Sequence, residues 1–236
     1  EQNEGIDNHF TVALPGGESF LCIQYGMNWS EVTGKNLLTV DSDGSVTNCF
    51  GEGREPSDID VTAFNIHKCI HERLGDRATA VLHTHQPWVS SLCALKPDHG
   101  GNLLMLHQND CRFDGLIAYD DFRGMVTDDT EGNRLADALG DANRVLFMRN
   151  HGVMTVAPSV ALAFDDLYHL ERSAQRQVQA LQAAGGDVDK LSIIPADVVS
   201  HTREQFDAFL EGGSPEQHLE ALARILVKDD SDDFLD

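Results

Sequence analysis

The sequence predicts a single α/β domain, because short strand patterns alternate with longer stretches of helical periodicity. The first fifty residues contain apolar segments of strand length separated by turn residues. Further along, an apolar helical stripe precedes a buried strand, and a long helix follows two more apolar strands. The chain has 236 residues, which is enough for one such domain with a sizeable core.

The N-terminal part is predicted to form a meandering antiparallel sheet. Turn signals at Pro15-Gly16-Gly17 and Asp41-Ser42-Asp43-Gly44 separate its strands. Residues 30–32 open a short helix within it. The predicted strands span 10–14, 20–24, 37–40 and 45–47.

The middle and C-terminal parts alternate helices with buried strands. A helix over 60–74 carries an apolar stripe at helical spacing, with Asp58 or Asp60 as its N-cap and Gly75 as its end. Gly185-Gly186 ends the longest helix. The further predicted strands are 78–83, 144–149 and 153–156, and the further helices are 86–95, 131–139, 158–184, 203–210 and 216–226.

The composition excludes several classes of partner. The sequence is 41% hydrophobic and 24% charged, and 17 Lys and Arg against 39 Asp and Glu give a net charge of −22. Such a polyanion repels nucleic acid and anionic membrane surfaces. No apolar run approaches the ~20 residues that span a bilayer, and the first residues lack the basic and apolar regions of a signal peptide. Five scattered cysteines without a Cys-x-x-Cys pair favour reduced thiols, so we expect a cytoplasmic protein.

A histidine pattern indicates a metal site. His83 and His85 end a buried strand, and because side chains alternate along a strand they point to the same face. His151 follows a second apolar run and precedes Gly152. Three neutral imidazoles leave a coordination position open on a divalent ion, as catalytic metals require. The spacing alone also fits ordinary rim histidines.

A rival histidine pair lies on the predicted helix over 60–74. His67 and His71 share one helix face at spacing i, i+4, and Glu72 follows them. The order differs from the zincin motif His-Glu-x-x-His. The pair is therefore either a separate metal site or a structural feature of the helix.

Three segments together resemble the class II aldolase/adducin family, over roughly residues 5–190. They are Thr62-Ala63-Phe64-Asn65-Ile66-His67, Ala80-Val81-Leu82-His83-Thr84-His85 and Arg149-Asn150-His151-Gly152-Val153. The segment 163–172 is similar to the closing helix of that family. The resemblance implies a three-layer α/β/α sandwich around a mostly antiparallel sheet. It further implies a homotetramer, and a domain over 1–195 followed by a helical extension with an acidic tail over 196–236.

The resemblance also implies the metal and its ligands. His83, His85 and His151 would bind a divalent ion, with zinc expected and iron, manganese or cobalt as alternatives. In phosphate-using members, a Ser-Ser-Glu or Ser-Ser-Asp segment supplies the acid and part of the phosphate site. Here the corresponding stretch is Asp60-Val61-Thr62-Ala63-Phe64, and the early Gly-Asn-Ile-Ser loop appears as Asp7-Asn8-His9-Phe10-Thr11. The substrate is therefore expected to lack a phosphate group, and another residue must move the proton.

Four residues are candidates to complete the site. Asp110 lies in a region that resembles the place of a catalytic Asp in epimerase members, and Tyr119 is a possible proton donor; both are predicted catalytic residues. His9, at the altered loop, and Gln108 are predicted to bind substrate. A turn, surface or packing role is the alternative for each.

The leading functional hypothesis is a metal-dependent lyase of the aldolase type that acts on a small, non-phosphorylated hydroxy or oxo acid. A non-haem iron oxygenase or decarboxylase on the same scaffold is a second hypothesis. The third is a non-catalytic assembly module like the head domain of adducin, which the resemblance to the adducin branch allows.

Overall fold

The computed structural model describes residues 5–48, 53–55, 58–125 and 128–228. The strands are β1 His9–Ala13, β2 Ser19–Ile23, β3 Leu37–Asp41, β4 Val46–Asn48, β5 Gly53–Arg54, β6 Ala80–Thr84, β7 Ile117–Asp120, β8 Val145–Met148 and β9 Gly152–Ala157. The helices are α1 Val61–Leu74, α2 Pro87–Cys93, α3 Asp129–Leu139, α4 Val160–Ala183, α5 Ala196–Glu211 and α6 Ser214–Lys228. Cys49 and the acidic run from residue 229 lie outside the described residues.

The strands form one nine-stranded sheet in the order β5-β4-β3-β2-β1-β6-β9-β8-β7. Neighbouring strands pair antiparallel, except β7 and β8, which are parallel. The predicted mostly antiparallel sheet is confirmed. Strand β7 was not predicted as a strand, because its pairing depends on β8, which lies far away in the sequence.

Helices cover both faces of the sheet, and the strand alternation decides which core each residue joins. Ala80 and Leu82 of β6 pack with residues of α2 and α4. Val81, between them, packs on the opposite face with residues of α1 and α3. The predicted three-layer α/β/α sandwich is therefore confirmed.

Helices α1 and α3 pack closely together because of a glycine. The Asp60 carboxylate caps α1 by accepting hydrogen bonds from the backbone N–H groups of Thr62 and Ala63. A Cβ on Gly132 of α3 would lie 2.8 Å from the Asn65 carbonyl oxygen of α1. Because Gly132 has no side chain, the first turn of α3 can approach α1 and the adjacent end of the sheet.

The C-terminal helices α5 and α6 pack on the rest of the domain, partly through a buried cluster of charged side chains. The Arg112 guanidinium bonds to Asp165 and Asp166 of α4, and His218 of α6 lies 2.7 Å from the Asp165 carboxylate. Arg203 of α5 donates to the Asp114 carbonyl. No helix among the described residues is long and apolar enough to cross a membrane.

Candidate metal centre

A cavity of about 320 Å³ opens where β6 and β9 meet helices α1 and α3. Its walls come from the end of β6, the β8–β9 turn, the first turns of α1 and α3, the segment before β1 and the segment 122–125. All three histidines of the predicted metal site, His83, His85 and His151, line it.

The three histidines converge. Their ring centroids lie 4.9 Å apart for His83 and His85, and 4.8 Å apart from His151 in each case. Each histidine offers one ring nitrogen to a common centre, and these three nitrogen atoms lie within 4.8 Å of one another. The Nε2 atoms of His83 and His85 face each other at 2.9 Å. The strand alternation that placed His83 and His85 on one face correctly predicted this proximity.

The turn Asn150-His151-Gly152 brings the third histidine to the other two. Asn150 adopts a left-handed conformation (φ 57°), which asparagine tolerates better than most residues, and this closes the turn between β8 and β9. A Cβ on Gly152 would lie 2.5 Å from the Thr84 carbonyl oxygen and 2.8 Å from the His85 ring. Glycine is therefore required for the two histidine-bearing segments to meet.

Two buried side chains hold the segment around His85. The Asn8 side-chain oxygen accepts a hydrogen bond of 2.9 Å from the His85 N–H. The Glu171 carboxylate of α4 accepts from the N–H groups of Trp88 and Val89, at the start of α2. A carboxylate stabilises a helix N-terminus because unpaired N–H groups and the helix dipole meet there. The backbone on both sides of His85 is thus fixed.

The donor set fits a divalent metal ion. Burial lowers the pKa of His83 well below its ordinary value, with the neighbouring histidines adding to the effect, so this imidazole is neutral near pH 7. The buried Nδ1 of His83 has no hydrogen-bond partner among the described residues. Two Nε2 atoms facing each other at 2.9 Å require that at least one of them carries a lone pair. Neutral, convergent imidazoles are what zinc and similar ions bind.

Apart from the histidines, the ionisable residues among the described cavity lining are acidic. Asp7, Asp60 and Glu131 line the cavity, and no lysine or arginine is found among its described lining residues. Glu131 is only 6% exposed, and burial raises the pKa of its carboxyl group. The Arg134 guanidinium lies 3.3 Å from one of its oxygens.

Of the four predicted completing residues, one lines the cavity. His9 lies there, with its ring stacked on His83 at a centroid distance of 4.7 Å. Asp110 is buried and bonds to Arg176 and to the N–H groups of residues 106 and 107, while Gln108 is exposed on the same short 3-10 helix. Neither is among the described lining residues of the cavity.

Tyr119 also lies outside the described cavity lining. Its hydroxyl oxygen accepts a hydrogen bond from the Leu103 N–H, and the Arg149 guanidinium lies 4.6 Å from its ring centroid. These contacts support a packing role. The catalytic roles of Asp110 and Tyr119 and the substrate-binding role of Gln108 stay predictions.

The rival pair His67 and His71 has a different environment from that of a metal site. Nδ1 of His67 and Nε2 of His71 both bond to the Thr11 hydroxyl, at 2.6 and 2.7 Å. The hydroxyl therefore lies between the two nitrogens that would have to share an ion. The structure favours the structural alternative for this pair.

A second group of metal-donor type, Asp165, His169 and His218, lies where α6 packs on α4. The Arg112 guanidinium already pairs with Asp165 and supplies a positive charge there. The group therefore holds helix α6 against α4, and the positive charge of Arg112 opposes the binding of a metal cation there.

Sequence reasoning missed Glu131 as a cavity residue. The sequence feature that could have indicated it is a glutamate at the start of a predicted helix, directly before Gly132. Its proximity to the histidines depends on the close packing of α3 against α1, and helical periodicity carries no information on such packing.

Comparison with known proteins agrees with this fold. Residues 1–178 match the family model described as the class II aldolase and adducin N-terminal domain. An adducin-related protein of Schizosaccharomyces pombe is 32% identical over 203 residues, or 85% of this chain. The chain spans 60% of the length of that curated relative.

Solved structures show the same fold. A crystal structure of an aldolase II superfamily protein from Pseudomonas syringae has a TM-score of 0.86 and 32% identity, and the match covers 100% of this chain and 88% of that one. The L-fuculose 1-phosphate aldolase from Glaciozyma antarctica has a TM-score of 0.70 and 25% identity, with 86% and 74% coverage. The fold and the three-histidine site thus define a protein of the class II aldolase type. The chain belongs to the class II aldolase and adducin N-terminal domain family, as its sequence motifs predicted.

Proposed function

We propose that this protein is a metal-dependent lyase of the aldolase type, which acts on a small hydroxy or oxo acid without a phosphate group. The observation that carries the proposal is the convergence of ring nitrogens from His83, His85 and His151 within 4.8 Å on the wall of a cavity. A divalent ion held there, with zinc expected, would supply Lewis-acid stabilisation of negative charge on a substrate oxygen.

The charges of the cavity support a substrate without phosphate. A phosphate dianion needs cationic or N–H donors, and the described lining residues include three carboxylates and no lysine or arginine. A single carboxylate or carbonyl oxygen beside the three histidines avoids this repulsion. The similarity to an L-fuculose 1-phosphate aldolase therefore supports the reaction type, and the altered cavity supports a different substrate.

Glu131 is the proposed proton carrier of the reaction. It is a carboxyl group that lines the cavity together with the three histidines, and burial raises its pKa. A carboxyl group with a raised pKa exchanges protons more readily near neutral pH than an ordinary glutamate does. This role would replace the acid that the sequence lacks at residues 60–64.

The test combines metal analysis with an assay of carbon–carbon bond cleavage. We expect His83→Ala to lose most of the bound metal and the cleavage of hydroxy-oxo acids, measured by mass spectrometry of the metal and by NMR detection of the products. His99→Ala is the matched control, because this histidine is exposed and lies away from the cavity. A His83→Ala protein with full metal content and full activity would contradict the proposal.

A non-catalytic assembly module is the second candidate, favoured by the similarity to an adducin-related protein. It predicts that purified protein carries no stoichiometric metal and cleaves none of the tested acids. In either case we propose a cytoplasmic homotetramer, which is the assembly that the resemblance to the family implies; sedimentation velocity would measure the assembly.

A further inference from the structure

A buried network links the cavity to the far end of helix α1. It consists of His9, Thr11, His67 and His71, and we call it the histidine–threonine network. His9 and Thr11 lie on one face of β1, and His67 and His71 lie one helical turn apart on α1. Thr11, His67 and His71 are 5%, 0% and 6% exposed, so water does not compete for their hydrogen bonds.

The network runs without a break. His9 Nδ1 lies 2.8 Å from His67 Nε2, and His67 Nδ1 lies 2.6 Å from the Thr11 hydroxyl. The same hydroxyl lies 2.7 Å from His71 Nε2, and His71 Nδ1 lies 2.6 Å from the Ala78 carbonyl oxygen. Every contact is within hydrogen-bond distance, and the last acceptor is a backbone carbonyl.

That carbonyl fixes the direction of every hydrogen bond. A carbonyl only accepts, so His71 carries its proton on Nδ1, and Nε2 of the neutral ring accepts from the Thr11 hydroxyl. Thr11 has one proton, so its oxygen accepts from His67 Nδ1–H, and His67 Nε2 accepts from His9 Nδ1–H. Burial lowers the pKa of His71 to about 4 and holds that of His67 well below its ordinary value, so both rings are neutral at pH 7.

We propose that the network holds His9 in the tautomer whose Nε2 carries no proton, and that this nitrogen accepts a hydrogen bond from a hydroxyl group of the substrate. His9 lines the cavity and stacks on His83, and its described hydrogen bond engages Nδ1, which leaves Nε2 for the ligand. A substrate with a hydroxyl next to its metal-directed oxygen would meet both groups. Thr11, His67 and His71 are then positioning residues for this specificity.

The tautomer of His9 is testable without metal or substrate, so its outcome is independent of the proposed function. In metal-free protein labelled with ¹⁵N-histidine, we expect long-range ¹H–¹⁵N spectra at pH 7.5 to show His9 with Nδ1 protonated and Nε2 unprotonated. A His9→Gln sample identifies the signals among the 11 histidines. A His9 with Nε2 protonated in the wild-type protein would overturn the proposal and leave the metal site untouched.

Two variants break the network and one preserves it. Thr11→Val removes the hydroxyl at similar shape, and His71→Phe removes the anchor but keeps a ring that can stack on Phe20. Both are expected to shift His9 towards a mixture of tautomers, and Thr11→Ser is expected to retain the wild-type spectrum. Thermal unfolding confirms that each variant is folded, and two independent breaks protect the test against the failure of one variant to fold.

Binding of small probes tests the role of His9 towards the ligand. On zinc-loaded protein, calorimetry compares glycolate, which has a hydroxyl beside its carboxylate, with acetate, which has none. We expect Thr11→Val and His71→Phe to lose about three- to tenfold of the preference for glycolate, the value of one hydrogen bond. Thr11→Ser should keep the preference, with metal content unchanged in all three. An unaltered preference for glycolate in both Thr11→Val and His71→Phe would overturn the proposal. A wild-type protein that does not bind zinc would overturn the proposed function instead.

Discussion

Substitution of Gly152 by alanine tests the geometry that brings the histidines together. The new Cβ would lie 2.5 Å from the Thr84 carbonyl oxygen, about 0.9 Å short of an ordinary contact of 3.4 Å, and 2.8 Å from the His85 ring. The carbonyl belongs to the backbone of the adjoining strand, so β6 and β9 must separate at this point. Overpacking of this size costs about 2–3 kcal/mol.

The variant is expected to lower both stability and metal affinity. For a chain of this length, such a loss corresponds to a fall of about 5–10 °C in the melting temperature, measured on metal-free protein by circular dichroism. A displaced His85 should weaken zinc binding about 10- to 100-fold in a competition titration, as displaced supporting residues do. Gly212→Ala is the control, because its Cβ would lie 3.2 Å from the Ala208 carbonyl oxygen, only 0.2 Å short of an ordinary contact, and Gly212 is not among the described lining residues of the cavity. Unchanged melting temperature and zinc affinity in Gly152→Ala would refute the account of this turn.

Three further predictions concern buried ionisable groups. Glu131→Gln should lower kcat for bond cleavage about 10²- to 10⁴-fold with metal content unchanged, and a kcat close to wild type would remove Glu131 as proton carrier. Glu171→Gln weakens the charged cap on the Trp88 and Val89 N–H groups and should cost about 1–2 kcal/mol in urea unfolding; a neutral effect would show that an uncharged cap suffices. The pKa of His71 is about 4 when folded and 6.5 when unfolded, mainly because of burial, so its contribution to stability is present above pH 6.5 and falls as the pH drops from 6.5 towards 4. His71→Phe should therefore remove about 2 kcal/mol of the stability difference between pH 7 and pH 5, and an unchanged difference would contradict the assigned pKa.

Local sequence patterns predicted much of the fold. The alternation of side chains along β6 placed His83 and His85 on one face, and helical periodicity found α1. Of the two predicted caps, Asp58 and Asp60, the structure shows Asp60. Boundaries were less accurate: α4 begins after Ser159, whose side chain caps it, and α5 begins at Ala196 instead of residue 203. Sequence-distant pairing, as between β7 and β8, left no local signal.

The site shows the same limit. The resemblance to a family placed His151 with the other two histidines, and the spacing alone did not. The roles of His67 and His71 depend on Thr11, which β1 brings to α1 across more than fifty residues of sequence. Glu131 reaches the cavity only because Gly132 permits close helix packing. Each of these contacts is a tertiary effect, which periodicity and propensity do not encode.

The most direct test of the central claim is the position of a metal in a crystal of the purified protein. Anomalous diffraction recorded at the absorption edges of zinc, iron, manganese and cobalt would locate and identify the ion. We predict one site per chain, with the ion about 2.0–2.1 Å from a ring nitrogen of each of His83, His85 and His151 if the ion is zinc. Crystals soaked with zinc that show no anomalous peak between these three rings would contradict this prediction.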